Sequence, residues 1–472
     1  MFVIYLTLAL ILGLLGVQNL RSYFISSKLR SLPPGPPRKP IIGNLLDFPE
    51  PGSKEWEHWL KHKDLYGPIS SLVTIGQTVI ILNKSEVAYD LLEKRSAIYS
   101  SRPQPVFGAE LAGWKRVVTL KGDANVVRTH RKFISSLMGS KNAVSNLHPQ
   151  LDLGARHFLL QTLQQPDSLI GNIRRIIGAE ILDMVYGYKV EPSGPDPLID
   201  LADLSAQQFS NAVQTGNWAV DSIPMLKHLP SWFPGAGFQR TAQEWGRVLT
   251  TLAERPYAFV LHQRSKQKDA GSYVSRHLNL LDGPATPDEE NLIKWTAAVI
   301  YLGGADTTVS SLSTFFLAMA QFPAVQRHAQ AELDEVVGLR LPTLNDRPNL
   351  PYIDALIKEV MRWHPIGPLG VPQKFVFGFG RRICPGRFLA DTSLFLIISK
   401  SLAVFDIAKR VGEDGKEMDL LAEFLPGIIS HPSPFHVQVR PRSEHAEKLI
   451  RSVEVEDPWL KGDSDVFNDI QF

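Results

Sequence analysis

The sequence predicts a mainly α-helical protein with small β-sheets, carried behind a single N-terminal transmembrane helix. Three observations predict it. Most of the chain repeats its apolar residues at helical rather than alternating spacing. β signals are confined to Ser70–Leu82 and Phe435–Val439. The opening run, Met1 to Val17, carries no charge at all. The composition of the 472 residues, 44% hydrophobic and 21% charged, is that of a globular chain and excludes wholesale disorder or collagen-like repeats. No internal repeat occurs, and no Pro/Gly-rich linker divides the chain after residue 45, so residues 46–472 read as one domain.

A helix over residues 1–20 would span roughly 30 Å, enough for a bilayer core. A signal peptide would want a positive start and a small-x-small cleavage site. Nothing charged precedes the apolar run, and Gly16-Val17-Gln18-Asn19 is a poor site, so the segment reads as an anchor. Arg21, Lys28, Arg30, Arg38 and Lys39 all precede the first acid, Asp47. By the positive-inside rule the body of the chain is cytosolic. The sequon Asn83-Lys84-Ser85 is then a chance occurrence. Residues 21–45 form a basic, Pro-rich hinge. Within it, Leu32-Pro33-Pro34-Gly35-Pro36-Pro37 cannot be helical, because proline lacks the amide donor and fixes φ. It reads as a stiff extended spacer.

Fifty basic and 48 acidic residues leave a net charge of +2, which gives no support to nucleic-acid binding. The one cysteine, Cys384, excludes an internal disulfide and any multi-cysteine zinc or iron–sulfur site. The 13 histidines show no ligand spacing.

The clearest helix begins at Thr286-Pro287-Asp288-Glu289, where threonine caps, proline takes the first helical position and glutamate completes a capping box. Its apolar run stops before Pro323. In its middle lies Gly303-Gly304-Ala305-Asp306-Thr307-Thr308. Each glycine destabilises a helix interior by about 1 kcal/mol relative to alanine. Two readings stand: a bend with something packed against it, or a plain helix–helix crossing beside a surface aspartate.

The second constellation is Phe377-Gly378-Phe379-Gly380-Arg381-Arg382-Ile383-Cys384-Pro385-Gly386-Arg387, followed by an apolar helix over Phe388 to Val404. Pro385 suits a first helical position, which puts Cys384 at the helix start, where dipole and free N–H groups favour a thiolate. The glycines let backbone approach the sulfur, and Arg381 and Arg382 suit an anionic partner. An isolated cysteine is usually an inert core residue; these neighbours argue otherwise.

This segment resembles the haem-binding signature of the haem-thiolate monooxygenases, the cytochrome P450 family. Phe377, Gly380, Arg382, Cys384 and Gly386 match its Phe-x-x-Gly-x-Arg-x-Cys-x-Gly in full. The resemblance implies that Cys384 is the axial thiolate of a haem iron, pushing electron density that favours O–O cleavage. The glycine pair and Asp306-Thr307 resemble the oxygen-activation motif, which implies that Asp306 and Thr307 relay protons during dioxygen activation. Glu359-Val360-Met361-Arg362 matches Glu-x-x-Arg, whose ends meet at i, i+3 on a helix and serve structure. Anchor and hinge resemble those of microsomal members, and Phe424–Phe435 resembles the C-terminal hairpin of fungal members. The resemblance further implies an NADPH-dependent flavoprotein reductase as electron donor, with cytochrome b5 as an accessory one. It implies O2, an apolar small-molecule substrate, and a place in the endoplasmic reticulum membrane with the catalytic domain cytosolic.

Two departures follow. The family's early helix carries Trp-x-x-x-Arg, both contacting a haem propionate; here Arg131 is kept and Val127 replaces the tryptophan. The second is larger: only 22 positions separate Arg362 from Cys384. In the family this interval is longer by tens of residues and holds sheet strands and a third arginine that completes the Glu–Arg network. The family's text breaks off after Val371-Pro372 and resumes at the signature, as if a segment were deleted. Glu359 and Arg362 would then be partly unpaired, by several kcal/mol if buried.

The leading reading is a membrane-anchored haem monooxygenase that hydroxylates or epoxidises an apolar small molecule, a secondary metabolite or xenobiotic. The rival is a catalytically impaired family member without monooxygenase activity. A third, isomerisation or dehydration at the haem, would want the Asp–Thr pair lost. Expected cavity contributors are Val106, Phe107 and Trp114, Phe209 to Ile223, Val299 to Gly303, and Ile428 to His431, apolar as a small-molecule pocket requires.

Overall fold

The computed structural model describes residues 13, 16, 32–40, 42–50, 52–74, 77–368, 376–412 and 415–470. The expected membrane helix, apart from Gly13 and Gly16, and the junction at 369–375 lie outside the described residues. Among the described residues, no single helix is long and apolar enough to cross a membrane. The fold is mainly helical with two small sheets. It divides into a smaller unit, residues 1–100 with 214–236 and 379–381, and a larger one holding the rest.

In the smaller unit, helix α1 (Glu55–Tyr66) lies beside the antiparallel strands β1 (Ile69–Thr74) and β2 (Gln77–Leu82), paired from Ile69↔Leu82 to Thr74↔Gln77. Trp59, Leu72 and Ile81 form its core, with Phe48 edge-on to Trp59. The Pro-rich run is extended, as expected, but is tied down rather than free. The Ser71 backbone N–H donates to the Pro34 carbonyl (2.8 Å), and Ser71 Oγ donates to that of Pro33 (2.6 Å).

The larger unit is built from helices α2 (Ala124–Met138), α3 (His148–Gln164), α4 (Leu169–Tyr186), α5 (Pro197–Val213), α6 (Gly237–Ser265), α7 (Pro287–Gln321), α8 (Pro323–Val336), α9 (Pro351–Trp363), α10 (Arg387–Val404) and α11 (Glu444–Arg451). Helix α7 is its axis. The expected capping box is formed in full: Thr286 Oγ1 accepts from the Glu289 N–H while the Glu289 carboxylate accepts from the Thr286 N–H. Leu312, Phe315, Phe316 and Leu317 are fully buried, as are Ser310, Ser313 and Thr314 between them, so the second half of α7 is buried on every side. It ends at Phe322, because Pro323 has no N–H to continue it, and α8 departs at 104°.

Helix α10 is buried almost throughout, with Phe395, Leu396 and Ile397 inaccessible. Lys400 is 1% exposed, and its Nζ lies 2.9 Å from both Asp152 Oδ1 on α3 and the Pro342 carbonyl. A buried ammonium needs such partners.

The second sheet pairs β3 (Phe405–Lys409) with β4 (Val437–Pro441), antiparallel from Phe405↔Pro441 to Lys409↔Val437. Its β4 was legible as Phe435–Val439, two residues early. Its β3 was not expected: it follows α10 without a turn signal. Gln326 on α8 closes the edge, donating to the Ile407 carbonyl and accepting from its N–H, both at 2.8 Å.

Candidate functional site

The cysteine loop is shaped by short-range bonds. The Cys384 N–H donates to the Phe377 carbonyl at 2.7 Å, closing a turn between the first and eighth signature residues. Gly380 has φ +47°, and its N–H donates to the Glu93 carboxylate. A Cβ there would stand 2.6 Å from the Leu92 carbonyl oxygen, so both conformation and space demand glycine. A Cβ on Gly386 would lie 3.3 Å from Met138 Sδ and 3.9 Å from Cys384 Sγ.

The helix after the loop begins later than its proline suggests. Gly386 is the N-cap and Arg387 the first helical residue, so Pro385 lies outside α10 and Cys384 precedes the cap. Burial pushes the Cys384 thiol up; the Gly386 N–H, Arg131 and Arg387 pull it back. One backbone donor and two guanidinium groups, rather than a place inside the helix's first turn, oppose the effect of burial on the thiol.

Arg131, on α2, donates from Nη2 to the Ile383 carbonyl at 2.6 Å. Arg382 donates to the carbonyls of Lys121 (2.6 Å) and Val118 (3.3 Å). Burial lowers the Arg382 guanidinium, and Arg102 and Arg131 nearby lower it further. Three like charges gathered in this way suit an anionic group. Arg102 was not singled out in the sequence; nothing in its neighbourhood marks it, and only folding brings it to Arg382. Val127, in the tryptophan position, is 6% exposed and packs in the core.

The glycine pair on α7 turns out to hold two separate roles. A Cβ on Gly304 would meet Ile181 Cδ1 of α4 at 2.7 Å, the helix–helix crossing. A Cβ on Gly303 would meet nothing within 4 Å. One glycine packs; its neighbour faces open space. Thr307 Oγ1 donates to the Gly303 carbonyl at 2.7 Å. Asp306 is not a surface aspartate: its Oδ1 lies 3.0 Å from His431 Nε2, with its side chain 16% exposed.

Two expectations need correction. Phe107 and Trp114 are 0% and 1% exposed and pack against Trp245 and Phe209, so they fill the interior rather than line a cavity. Glu359 and Arg362 are neither unpaired nor buried. Arg362 Nε donates to Glu359 Oε2 at 2.7 Å, with the side chains 54% and 51% exposed. No burial penalty applies, and solvent screens such a surface pair so that it adds little to stability.

The donor set fits haem: one sulfur with a backbone donor beside it, guanidinium groups for carboxylates, and a helix whose Gly303 leaves room. A mainly helical fold carrying such a cysteine loop defines a haem-thiolate protein. The chain belongs to the cytochrome P450 family, whose model matches residues 33–376. Three of its relatives are fungal. It is 41% identical to the cytochrome P450 monooxygenase ppsD of Aspergillus oryzae, over 91% of this chain and 93% of that protein. It is 40% identical to the cytochrome P450 monooxygenase claR of Ampulloclitocybe clavipes, over 94% and 92%. It is 38% identical to the O-methylsterigmatocystin oxidoreductase of Aspergillus flavus, over 96% of each. A zebrafish cytochrome P450 structure with abiraterone shares the fold at TM-score 0.62 and 20% identity, over 82% of this chain and 100% of that one. The chain is a fungal-type cytochrome P450, an oxidoreductase of the monooxygenase class with haem as cofactor. The A. oryzae alignment runs over 492 residues, more than the 472 of this chain although 91% of it takes part, so that relative holds residues without a counterpart here.

Proposed function

We propose that this chain is a membrane-anchored monooxygenase of the endoplasmic reticulum that hydroxylates or epoxidises an apolar small molecule of secondary metabolism. Its electrons come from an NADPH-dependent flavoprotein reductase, with cytochrome b5 as accessory donor. The uncharged run Met1 to Val17 and the basic residues after it support the anchor. The fungal relatives, one of them named for O-methylsterigmatocystin, support small-molecule oxidation.

The observation that carries the reading is Cys384 with the Gly386 N–H and Arg131 around its sulfur. Haem, when bound, supplies dioxygen activation, which a thiolate ligand promotes. The chain's own residues do the rest. Cys384 presents the sulfur, and Phe377 fixes its turn through the Cys384 N–H. Gly380 and Gly386 keep backbone close. Arg131 and Arg382 hold the loop and offer positive charge to the propionates. Asp306 and Thr307 hold protons at a carboxylate and at Oγ1 on the face of α7 beside Gly303. Glu359 and Arg362 support the structure. We also place a segment absent from this chain at residues 369–375, supported by the short Arg362–Cys384 interval and the overlong alignment.

The test is the absorption spectrum of the purified chain, reduced and CO-bound. A far-red Soret band that Cys384→Ser abolishes is expected. A band at the histidine-ligand position in the wild type, or one surviving Cys384→Ser, would sink the assignment.

A further inference from the structure

Asp306 has a partner that the oxygen-activation motif does not contain. His431 Nε2 stands 3.0 Å from Asp306 Oδ1. The imidazole is not a loose surface group. The Leu425 N–H donates to the His431 carbonyl at 2.7 Å. Its neighbour Ser430 is bonded on every polar atom: its carbonyl accepts from Ser310 Oγ (2.6 Å), its N–H donates to Ile366 (2.8 Å), and its Oγ donates to Leu425 (2.7 Å) and meets His364 Nε2 (2.9 Å). Ser310 stands one turn beyond Asp306 on α7, so the two share a face. Two successive residues of the C-terminal loop are therefore docked on two successive turns of α7.

The charged groups around this pair come from every element packed there. Helix α7 gives Asp306, α5 gives Asp203 and Asp200, α4 gives Arg174, and the loop gives His431. Arg174 Nη1 lies 3.4 Å from Asp203 Oδ2. Burial pushes the Asp203 carboxyl up; Arg174 and His431 pull it down, while Asp306 and Asp200 push it up. Asp203 thus feels both members of the His–Asp pair. Exposure falls in order along the series: 42% at Arg174, 33% at Asp203, 22% at His431 and 16% at Asp306.

We propose that His431 is a positioning residue for Asp306, and that Arg174, Asp203, His431 and Asp306 form one charged file conducting protons from solvent to the Asp306–Thr307 pair. The proposal rests on the reading of that pair as the proton relay. An imidazole has two ring nitrogens and can give a proton from one while the other takes one, which suits it to refill a carboxylate. In each cycle the N–H bond of the His431 imidazolium breaks at Nε2 and an O–H bond forms at Asp306. The neutral imidazole then takes a proton supplied by solvent hydronium through the Asp203 carboxyl. The O–H bond at Asp306 then breaks as the proton passes on toward Thr307 Oγ1, so one proton enters, one leaves, and the file returns to its starting charge. Arg174 holds Asp203 at the mouth.

Two measurements test this. In the full chain labelled with ring-15N histidine, the Nε2 resonance of His431, assigned by its loss in His431→Gln, should move in Asp306→Asn and by less in Asp203→Asn. An unmoved resonance in Asp306→Asn would overturn the pairing. In the haem-loaded enzyme with its reductase, His431→Gln should raise the peroxide released per NADPH by about fivefold, the order of one lost hydrogen bond. KM should hold, and the pH dependence of product yield between about pH 6 and pH 8 should flatten. A peroxide fraction and pH profile equal to wild type would overturn the file. Thr307→Ala separates the two readings. If it uncouples the enzyme and His431→Gln does not, the file alone falls; if neither uncouples, the relay falls with it.

Discussion

Arg131 donates from Nη2 to the carbonyl of Ile383, 252 positions later in the chain, at 2.6 Å. Ile383 immediately precedes Cys384, so one guanidinium both pins the backbone of the cysteine loop and sets positive charge beside the sulfur. The tryptophan that accompanies this arginine in the family is Val127 here, which concentrates the work on Arg131.

Arg131→Ala should therefore weaken haem retention more than the loss of one propionate contact would. A hydrogen bond from a charged donor is worth about 1.5–3 kcal/mol, or roughly 10- to 100-fold in affinity. Arg131→Lys should recover part of it, since charge returns without the planar fork. Haem-to-protein ratio after gel filtration measures both. Equal ratios in wild type and Arg131→Ala would remove the clamp from the account.

The two glycines of α7 should respond in opposite directions. Gly304→Ala places a methyl 2.7 Å from Ile181 Cδ1 and should destabilise the fold by about 1–3 kcal/mol through overpacking. Gly303→Ala meets nothing within 4 Å and should stabilise the helix by up to about 1 kcal/mol. Denaturant midpoints of the two variants decide it; a loss at position 303 as large as at 304 would contradict the separation of roles.

Those roles also show where the sequence was legible. The capping box at Thr286 is local, and its residue types state its geometry outright. A bend with something packed against it and a plain helix–helix crossing stood as alternatives at Gly303-Gly304, because adjacent glycines look alike until a neighbour such as Ile181 is placed. Arg102 and Asp203 carried no signal, and His431 stood only at the end of an expected cavity stretch. Their partners are hundreds of positions away or sit on other helices, and no local pattern encodes such a meeting. Pro385 misled: it has the backbone shape of a helix start but serves the turn before the cap. The exposure of Glu359 and Arg362 was likewise invisible, since it depends on what covers α9 rather than on α9 itself.

Glu180 on α4 makes stability depend on pH from the alkaline side. Burial pushes its carboxyl from 4.5 up to about 8, with a bond from Ser393 acting the other way. The folded state holds the proton more tightly than the unfolded one, so this contribution is full below about pH 4.5 and is lost as pH rises through about 8. Glu180→Gln keeps the shape and cannot ionise. Its stability should match wild type near pH 5 and exceed it above pH 8 by about 1 kcal/mol or more. Urea midpoints across that range test it; parallel wild-type and variant curves would show that Glu180 does not govern the slope.

Glu359 and Arg362, bonded to each other at the end of α9, bear on the short interval before Cys384. Both are about half exposed. In water such a pair adds little, because solvent screens the attraction and two long side chains must be ordered. The resemblance places the same pair in a network with a third arginine, supplied by the stretch that we propose is absent from this chain. Covering the pair and giving it that arginine would turn a screened surface contact into a fixed support behind the cysteine loop. The loop, Arg131 and α7 still offer their contacts to haem, so binding should occur but release easily. Inserting a homologous segment between Pro372 and Phe375 should raise the far-red CO band per mole of protein and the turnover together, and should slow amide exchange over Pro351–Trp363. If the chain as it stands already holds haem one-to-one and turns over as fast as the extended version, the pair needs no cover. The missing stretch then has no part in haem retention.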